Sequence, residues 1–236
     1  MLPVAILSGG LATRLRPATE TIPKALIPIH GEPFIAHQFR LLSRAGVDRV
    51  VMCVGYLGEM IEEFAGDGRR FGLRVTYSPD GPNPRGTAGA VRNALPMLGD
   101  QFLVLYGDSY LPCDYQAVER AFLGSGQPGL MTVFRNRNQW EVSNVEFAGG
   151  KIAAYEKRTP TAAMDYVDYG LSAFHGSVFS PAGDQAADLT SVFQGLIQRR
   201  ALAGYEVTDR FYEVGSWEGI RALEAYLSSR PSQTTV

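Results

Sequence analysis

The sequence has few cysteines, no excess of basic residues and no long apolar run, and each shortage excludes a class of protein. Only Cys53 and Cys113 occur among 236 residues. Two are too few for a disulfide-held scaffold or a zinc site, and they favour a reducing cytoplasm. The formal net charge of −2 argues against bulk binding of nucleic acid. No run of about 18 apolar residues and no basic segment before an apolar stretch occur, so neither a membrane span nor a signal peptide is predicted.

Two common phosphate-binding motifs are also missing. No Gly-Lys-Ser/Thr follows the first glycine pair, so the chain has no Walker loop. After Gly9-Gly10 the next glycine is Gly31, which excludes the G-x-G-x-x-G dinucleotide turn. This absence weakens the hypothesis of a nicotinamide-dependent dehydrogenase.

Apolar runs that alternate with helical patterns dominate the front half. The predicted strands are Val4–Leu7, Val47–Tyr56, Leu73–Tyr77 and Phe102–Tyr106. The predicted helices between them are Pro33–Ala45, Leu57–Phe64 and Thr87–Leu95. Strands that are apolar on both faces and alternate with helices indicate a parallel sheet.

The pattern changes after Asp114, which suits a helix N-cap. The predicted strands of this half are Gly129–Phe134, a hairpin over Val145–Tyr155, Asp168–Phe174 and Tyr205–Phe211. The predicted helices are Leu189–Ala203 and Trp217–Leu227. We therefore expect a single domain over residues 1–229, with halves 1–114 and 115–229 sharing one sheet, and a frayed tail at 230–236.

The stretch Val4 to Ile29 carries the first functional signal. A short apolar strand ends at Ser8-Gly9-Gly10, and Thr13-Arg14 and Pro23-Lys24 follow. Backbone amides of a glycine turn after a buried strand, together with fixed cations, bind phosphates in many folds. A plain turn with surface cations is the alternative for Gly9-Gly10 alone.

These motifs resemble the signature of the sugar-1-phosphate nucleotidyltransferases, also called nucleotide-sugar pyrophosphorylases. The resemblance rests on GG-x-x-TRL and PKAL, and it continues in Gly86–Ala90, Gly107–Ser109, Glu156-Lys157 and Phe211–Gly215. It implies a Rossmann-like three-layer α/β/α sandwich with a mostly parallel mixed central sheet, the nucleotide-diphospho-sugar transferase type. Ser8, Ala12 and Glu213 depart from the family pattern, which more often has Ala, Gly and Asp there.

The resemblance also implies roles for residues of the front half. The nucleotide-binding residues would be Leu7, Ser8, Gly9, Gly10, Ala12, Thr13, Arg14, Lys24, Gly86, Thr87 and Gly107. Arg14 would neutralise the departing β- and γ-phosphates, and Lys24 would hold the reacting phosphate. Asp108, after an apolar strand, and Glu213 would hold Mg²⁺, which prefers carboxylate oxygens.

The sugar phosphate would bind to the back half. The resemblance assigns Glu156 to the sugar hydroxyls and Lys157 to the sugar phosphate. Asn144, Asp168, Tyr169 and Gly170 are further candidates for the sugar pocket, and Tyr169 could equally belong to the core. Arg14, Lys24, Asp108 and Lys157 would be the catalytic residues.

The function implied is transfer of a nucleoside monophosphate from a nucleoside triphosphate to a sugar 1-phosphate, with release of pyrophosphate. Gly86–Ala90 is most similar to guanylyltransferases acting on mannose- or heptose-type 1-phosphates. Uridylyltransferases, including those for N-acetylmuramate 1-phosphate, thymidylyltransferases and a non-catalytic nucleotide-sugar-binding regulatory subunit are the alternatives. We expect a cytoplasmic monomer or small homo-oligomer without nucleic acid or membrane partners.

Overall fold

The computed structural model describes residues 1–10, 15, 17–81, 84–179 and 188–229. Ala12, Thr13, Arg14 and the tail at 230–236 therefore lie outside the described residues. The helices are α1 (Phe34–Arg44), α2 (Gly58–Ala65), α3 (Gly86–Leu98), α4 (Tyr115–Ser125), α5 (Leu189–Gln198) and α6 (Trp217–Ser229). Short 3₁₀ turns lie at Ala18–Glu20, Lys24–Leu26, Arg69–Phe71 and Gly176–Phe179. Among the described helices, none has the length and apolar character needed to cross a bilayer.

The strands follow the predicted change from a parallel front half to a mixed back half. They are β1 (Val4–Ser8), β2 (Pro28–Ile29), β3 (Glu32–Pro33), β4 (Arg49–Val54), β5 (Arg74–Pro79), β6 (Gln101–Tyr106), β7 (Ser109–Tyr110), β8 (Gly129–Arg135), β9 (Val145–Ala148), β10 (Lys151–Tyr155), β11 (Tyr166–His175), β12 (Leu202–Val207) and β13 (Tyr212–Glu213).

One nine-stranded sheet has the order β5-β4-β1-β6-β11-β8-β12-β10-β9. Its pairings make β10 and β11 run against the other seven strands. The prediction of a mixed sheet in which most strands share one direction is therefore confirmed. The sequence did not predict that β9 pairs again with β11, through Val145 and Tyr166, so the back half of the sheet curls round on itself.

Two apolar cores cover the two faces of this sheet. One core packs α1, α2 and α4 against side chains such as Val4 and Ile6 of β1. The other packs α3 and α5 against the opposite face, which includes Ala5 of the same strand. Because successive strand residues point to opposite faces, a strand buried on both sides must be apolar throughout. The three-layer arrangement follows from this composition.

The final helix, α6, covers a third and smaller core. Its Ile220 and Leu223 pack with Ile29 of the β2–β3 hairpin and with Val214, which follows β13. The short strand β13 pairs with β7, so that Glu213 lies opposite Ser109. The last helix thereby holds β13 beside the turn that follows β6.

Two elements predicted in the back half have the wrong bounds. The helix predicted to reach Ala203 ends at Gln198, and the strand predicted from Tyr205 starts at Leu202 and ends at Val207. Arg200 has a φ of 54°, the left-handed region, which ends a right-handed helix. The chain then turns, and Leu202 pairs with Gly129 at the start of the parallel neighbour β8.

The carboxyl ends of β1, β4, β5 and β6 meet at one edge of the sheet because these strands are parallel. Gly9 follows β1, Asp80 follows β5, and Gly107-Asp108 follows β6. Ligands of open α/β sheets bind at this edge.

Gly107→Ala is expected to destabilise the protein at this edge. A Cβ at Gly107 would overlap the carbonyl oxygen of Leu7 and the hydroxyl of Ser8, and overpacking of this kind costs about 1–3 kcal/mol. Gly124→Ala in α4 is the matched control, because nothing lies within 4 Å of its added Cβ and Ala favours a helix. Urea unfolding of both variants measures the difference; equal stabilities would contradict the close approach of β6 to β1.

Candidate active site

A cavity of about 310 Å³ opens at the carboxyl edge of the parallel strands. It is lined by Leu7, Ser8, Gly9, Gly10, Lys24, Ala25, Cys53, Asp80, Pro84, Gly86, Thr87, Ala90, Tyr106, Gly107 and Asp108. Every described residue of the predicted nucleotide set lines this cavity. A cavity of about 600 Å³ near Gly149, Gly150 and Arg200 contains none of the predicted site residues.

Lys24 and Asp108 form the charged contact of the cavity. The Nζ of Lys24 lies 2.8 Å from Oδ2 of Asp108, although 84 residues separate them. The backbone fixes the positions of both residues. Lys24 is the first residue of the 3₁₀ turn Lys24–Leu26. Asp108 comes directly after Gly107, whose N–H donates to the Leu7 carbonyl. Both residues belong to the predicted site, but the sequence did not predict the ion pair between them.

Gln38 holds the turn that carries Asp108, and the sequence did not single it out. Its side chain on α1 is 1% exposed, and Nε2 donates to the carbonyls of Ser109, at 2.8 Å, and Tyr106, at 3.3 Å. These two carbonyls flank Gly107-Asp108. A glutamine on the apolar face of a helix was the signal available in the sequence.

Glu213, which the sequence pairs with Asp108 as a candidate metal ligand, lies beside Asp108 in the fold. The Val214 N–H donates to the Asp108 carbonyl at 2.9 Å. This hydrogen bond joins the backbone that follows Glu213 to the backbone of Asp108. Burial, together with the negative charges of Asp108 and Glu141, raises the pKa of Glu213 to about 9, and Lys24 opposes this shift. Two carboxylates in one partly buried place repel each other, and a bound cation would relieve that repulsion.

Glu141 is a second residue that the sequence did not indicate. Its carboxyl group shares a hydrogen bond with Glu213. The loop that carries it is fixed by Asn136, which is 1% exposed and whose Nδ2 donates to the Glu141 carbonyl at 2.6 Å. The guanidinium of Arg210 stacks on the Trp140 ring at 3.5 Å. Nothing in the local sequence predicts the contact of Glu141 with Glu213, because Glu213 lies in β13, about seventy residues further along the chain.

The predicted sugar-pocket residues of the back half cluster around Asp168. Its backbone N–H donates to Oδ1 of Asn144 at 3.1 Å, and its Oδ2 accepts from the hydroxyl of Tyr155 at 3.0 Å. The N–H of Glu156 donates to the Asn144 carbonyl at 2.9 Å. The hydroxyl of Tyr106, a residue of the cavity wall, lies 3.5 Å from the same Asp168 oxygen. The cluster is thereby joined to the cavity at the glycine turn.

Lys157 extends over the same aromatic pair. Its Nζ lies 5.4 Å from the ring centroid of Tyr106 and 5.6 Å from that of Tyr155, within the range of a cation–π contact. The side chain is exposed and stands at the boundary between the cavity and the Asp168 cluster. Its charge is available to a ligand that spans both.

Tyr169 and Gly170 complete the predicted set, and their positions differ. Tyr169 is 1% exposed and packs in the core against Phe134 and Phe211. Its side chain is therefore directed away from Asp168 because neighbouring strand residues point to opposite faces, so assigning it to the sugar pocket was wrong and the core alternative holds. Gly170 stays beside Asp168, since its N–H donates to Oδ1 at 3.1 Å.

Asp80, which directly follows β5, is the third site residue that the sequence reasoning missed. Its side chain lines the cavity with only 8% of its surface exposed. Burial raises the pKa of Asp80 above its usual range, and the charge of Arg85 opposes this. A carboxylate directly after a strand was the available signal, as it was for Asp108.

The fold and the site together define an α/β protein with a cavity at the carboxyl edge of its parallel strands, next to the glycine turn after β1. The chain belongs to the nucleotidyl transferase family, whose model matches residues 4–230, and the predicted family is confirmed. It is 37% identical to a UTP–glucose-1-phosphate uridylyltransferase of Synechocystis, over 92% of this chain and 62% of the relative. It is 40% identical to an N-acetylmuramate alpha-1-phosphate uridylyltransferase of Neisseria meningitidis, over 48% of this chain and 49% of the relative.

Solved structures show the same fold. HddC from Yersinia pseudotuberculosis, complexed with GMP-PN, superposes with a TM-score of 0.78 and 20% identity, covering 96% of this chain and all of that one. A UDP-glucose pyrophosphorylase from Acinetobacter superposes with a TM-score of 0.75 and 18% identity, over 98% of this chain and 95% of that chain. Among curated relatives, the chain spans about half to three fifths of the length of the proteins it matches.

Glu213→Gln is expected to stabilise the metal-free protein at alkaline pH. The folded pKa of about 9 exceeds the ordinary value of 4.5, so between these values the folded chain holds a proton that the unfolded chain has lost. Stability therefore falls as pH rises through this window, and glutamine removes the loss. With EDTA, we expect the variant to match wild type at pH 5 and to melt at least about 2–4 °C higher at pH 8.5, the equivalent of about 1 kcal/mol.

Thermal unfolding by circular dichroism at the two pH values measures this difference. Glu206→Gln on β12, an exposed residue, is a control for the loss of one surface charge. A Glu213→Gln variant that melts with wild type at both pH values would contradict the burial of this carboxyl beside Asp108.

Proposed function

We propose that this protein transfers a nucleoside monophosphate from a nucleoside triphosphate to a sugar 1-phosphate and releases pyrophosphate. The observation that carries the proposal is the continuity of one site. The glycine turn after β1 and the Lys24–Asp108 pair lie in the cavity, and the Tyr106 wall joins that cavity to the Asp168 cluster. The names of the relatives, which include guanylyl- and uridylyltransferases of sugar 1-phosphates, support the same reaction.

The chemistry needs no nucleophile from the protein. An oxygen of the sugar 1-phosphate attacks the α-phosphorus of the nucleotide in line, a P–O bond forms, and the bond to pyrophosphate breaks. The acceptor phosphate is already ionised, so positioning and charge neutralisation carry catalysis. We assign Lys24 to the reacting phosphate, Lys157 to the sugar phosphate and Arg14 to the departing phosphates.

Asp108 and Glu213 are the residues that would hold Mg²⁺. Across the described part of the chain, no group of three or more His, Cys, Asp or Glu side chains could hold a metal ion. Mg²⁺ in nucleotide sites needs only one or two carboxylates, with waters and phosphates completing its shell. The carboxylates of Asp108 and Glu213 repel each other, and a bound cation would relieve this repulsion. When bound, Mg²⁺ would supply neutralisation of the polyphosphate charge.

The remaining assignments concern the substrate and the setting. Among sugars, we propose a mannose- or heptose-type 1-phosphate, supported by the similarity of Gly86–Ala90 to such guanylyltransferases; a uridylyl- or thymidylyltransferase is the alternative. We place the reaction in the cytoplasm, supported by the free thiols of Cys53 and Cys113, and expect a monomer or small homo-oligomer.

Pyrophosphate release tests the reaction directly. Four nucleoside triphosphates are combined with mannose, heptose, glucose and N-acetylmuramate 1-phosphates, with Mg²⁺ and with EDTA. We expect release from at least one pair, dependent on both the sugar phosphate and Mg²⁺. Asp108→Asn keeps the shape but loses the charge, so its rate should fall on the order of a hundredfold. Nucleotide-sugar binding without release from any pair would instead favour the non-catalytic regulatory subunit.

Lys157→Ala should separate the two substrates. The loss of a charged contact to phosphate costs about 1.5–3 kcal/mol, so KM for the sugar phosphate should rise roughly tenfold to hundredfold. KM for the nucleotide should stay within about twofold. Lys151→Ala, an exposed lysine on β10, is the matched control and should change neither constant. A defect of Lys157→Ala confined to the nucleotide would overturn this assignment.

A further inference from the structure

The carboxylate of Asp168 is held by donors of the protein itself. Its Oδ1 accepts from the backbone N–H of Gly170 at 3.1 Å, and its Oδ2 accepts from the hydroxyl of Tyr155 at 3.0 Å. The hydroxyl of Tyr106 lies 3.5 Å from the same Oδ2. An ionised carboxylate only accepts hydrogen bonds, so two phenols that converge on one oxygen indicate that Asp168 orients these tyrosines.

The two tyrosines meet at Asp168 because the back half of the sheet curls. Tyr106 is the last residue of β6, the strand beside β11. Tyr155 is the last residue of β10, which β8 and β12 separate from β11 in the strand order. Tyr155 pairs with Val145 of β9, and Val145 pairs with Tyr166 of β11. Asp168 follows two residues after Tyr166, on the same face of β11.

Both phenols keep their protons, so each hydroxyl remains a donor to Asp168. Burial and the negative charge of Asp168 raise the pKa of Tyr106 and of Tyr155 well above the usual value. The ring of Tyr155 also packs edge-on against Phe193, with 5.6 Å between the ring centroids. The rings of Tyr106 and Tyr155 are therefore fixed in position, and we call them the tyrosine platform.

Lys157 lies over the tyrosine platform without a carboxylate partner. Its Nζ lies 5.4 Å and 5.6 Å from the two ring centroids, and none of the ion pairs found among the described residues includes Lys157. Asp188 interacts with its charge only at longer range. An aromatic face attracts an ammonium group but has no net charge. The platform therefore orients the lysine and leaves its positive charge for a phosphate.

We propose that Asp168 is a positioning residue, which acts through the tyrosine platform to hold the Lys157 ammonium group where the sugar phosphate binds. This inference rests on the proposed function, in which Lys157 contacts that phosphate. It changes the role of Asp168 from a member of the sugar pocket to a support of the phosphate-binding lysine. Because Tyr106 also lines the cavity, the platform holds this lysine beside the nucleotide.

The lysine content of the chain allows a test in the protein without substrates. Lys24, Lys151 and Lys157 are the three lysines of the sequence, so lysine labelled with carbon-13 at Cε gives three NMR resonances, which Lys→Arg variants assign. Ring currents of the tyrosine platform should place the ε-protons of Lys157 upfield of those of the exposed Lys151. In Asp168→Asn, and in Tyr155→Phe, which keeps the ring and loses the hydroxyl, the Lys157 resonance should move towards that of Lys151.

Steady-state kinetics with the substrate pair that releases pyrophosphate fastest test the consequence for the reaction. Asp168→Asn and Tyr155→Phe should each raise KM for the sugar phosphate roughly twofold to fivefold, the equivalent of an exposed cation–π contact, and leave KM for the nucleotide unchanged. In the Lys157→Ala background neither change should have a further effect, because both residues act through Lys157. A direct contact of Asp168 with the sugar would add its full effect in both backgrounds.

Tyr205→Phe is the matched control, because it removes the hydroxyl of a half-buried tyrosine on β12, which pairs with Thr132 of β8. It should change neither the Lys157 resonance nor either KM. A Lys157 resonance that stays in place in both Asp168→Asn and Tyr155→Phe would overturn the proposal. Additive losses in the Lys157→Ala background would do the same.

The NMR resonance and the release of pyrophosphate separate this inference from the proposed function. A Lys157 resonance that depends on Asp168, without release from any sugar phosphate, leaves the support of Lys157 by Asp168 standing and overturns the transfer reaction. Release together with a Lys157 resonance that does not depend on Asp168 overturns the role of Asp168 and leaves the reaction standing.

Discussion

The parallel pairing of β1 with β6 is the constraint on which the site depends. Leu7 pairs with Tyr106, and the Gly107 N–H donates to the Leu7 carbonyl, so two loops leave the sheet at one point. One loop begins the glycine turn, and the other carries Asp108. The close approach leaves no space for a side chain at Gly107. A shift of this register by one residue would move Asp108 away from Lys24 and turn the apolar side chains of β1 to the wrong faces.

The antiparallel strand β11 joins the two halves of the site. It pairs with β6 on one side and β8 on the other. Its direction places Asp168, near its start, beyond the carboxyl end of β6, where the Tyr106 hydroxyl reaches it. A parallel strand in this place would have put its first residues at the opposite edge of the sheet. The reversal is therefore what allows one strand to hold the Asp168 cluster beside the cavity that Lys24 and Asp108 line.

The sequence predicted what depends on local pattern and missed what depends on distant contacts. The strand predicted as Phe102–Tyr106 is found as Gln101–Tyr106, because an apolar run bounded by turn residues has few other structures open to it. The end of α5 at Gln198 could not be predicted, because no feature of the sequence indicates that the backbone of Arg200 adopts a left-handed conformation. Lys24 and Asp108 were predictable as motif residues, whereas Gln38 acts through carbonyls 68 and 71 residues away.

The electrostatics of the site explain how it could discriminate among ligands. Asp80 is buried, and its Oδ1 has no partner among the described residues. Burial and the negative charges of Asp108 and Glu141 raise the pKa of Glu213, so its ionised form is unfavourable in this place. Hydrogen-bond donors would relieve the unpaired oxygen of Asp80. A cation would relieve the repulsion between the carboxylates of Asp108 and Glu213. A ligand that merely fits the cavity leaves these groups unsatisfied, and buried polar groups left unpaired reject analogues more strongly than a missing apolar contact does. Specificity built in this way lowers the stability of the free protein and returns that free energy on binding.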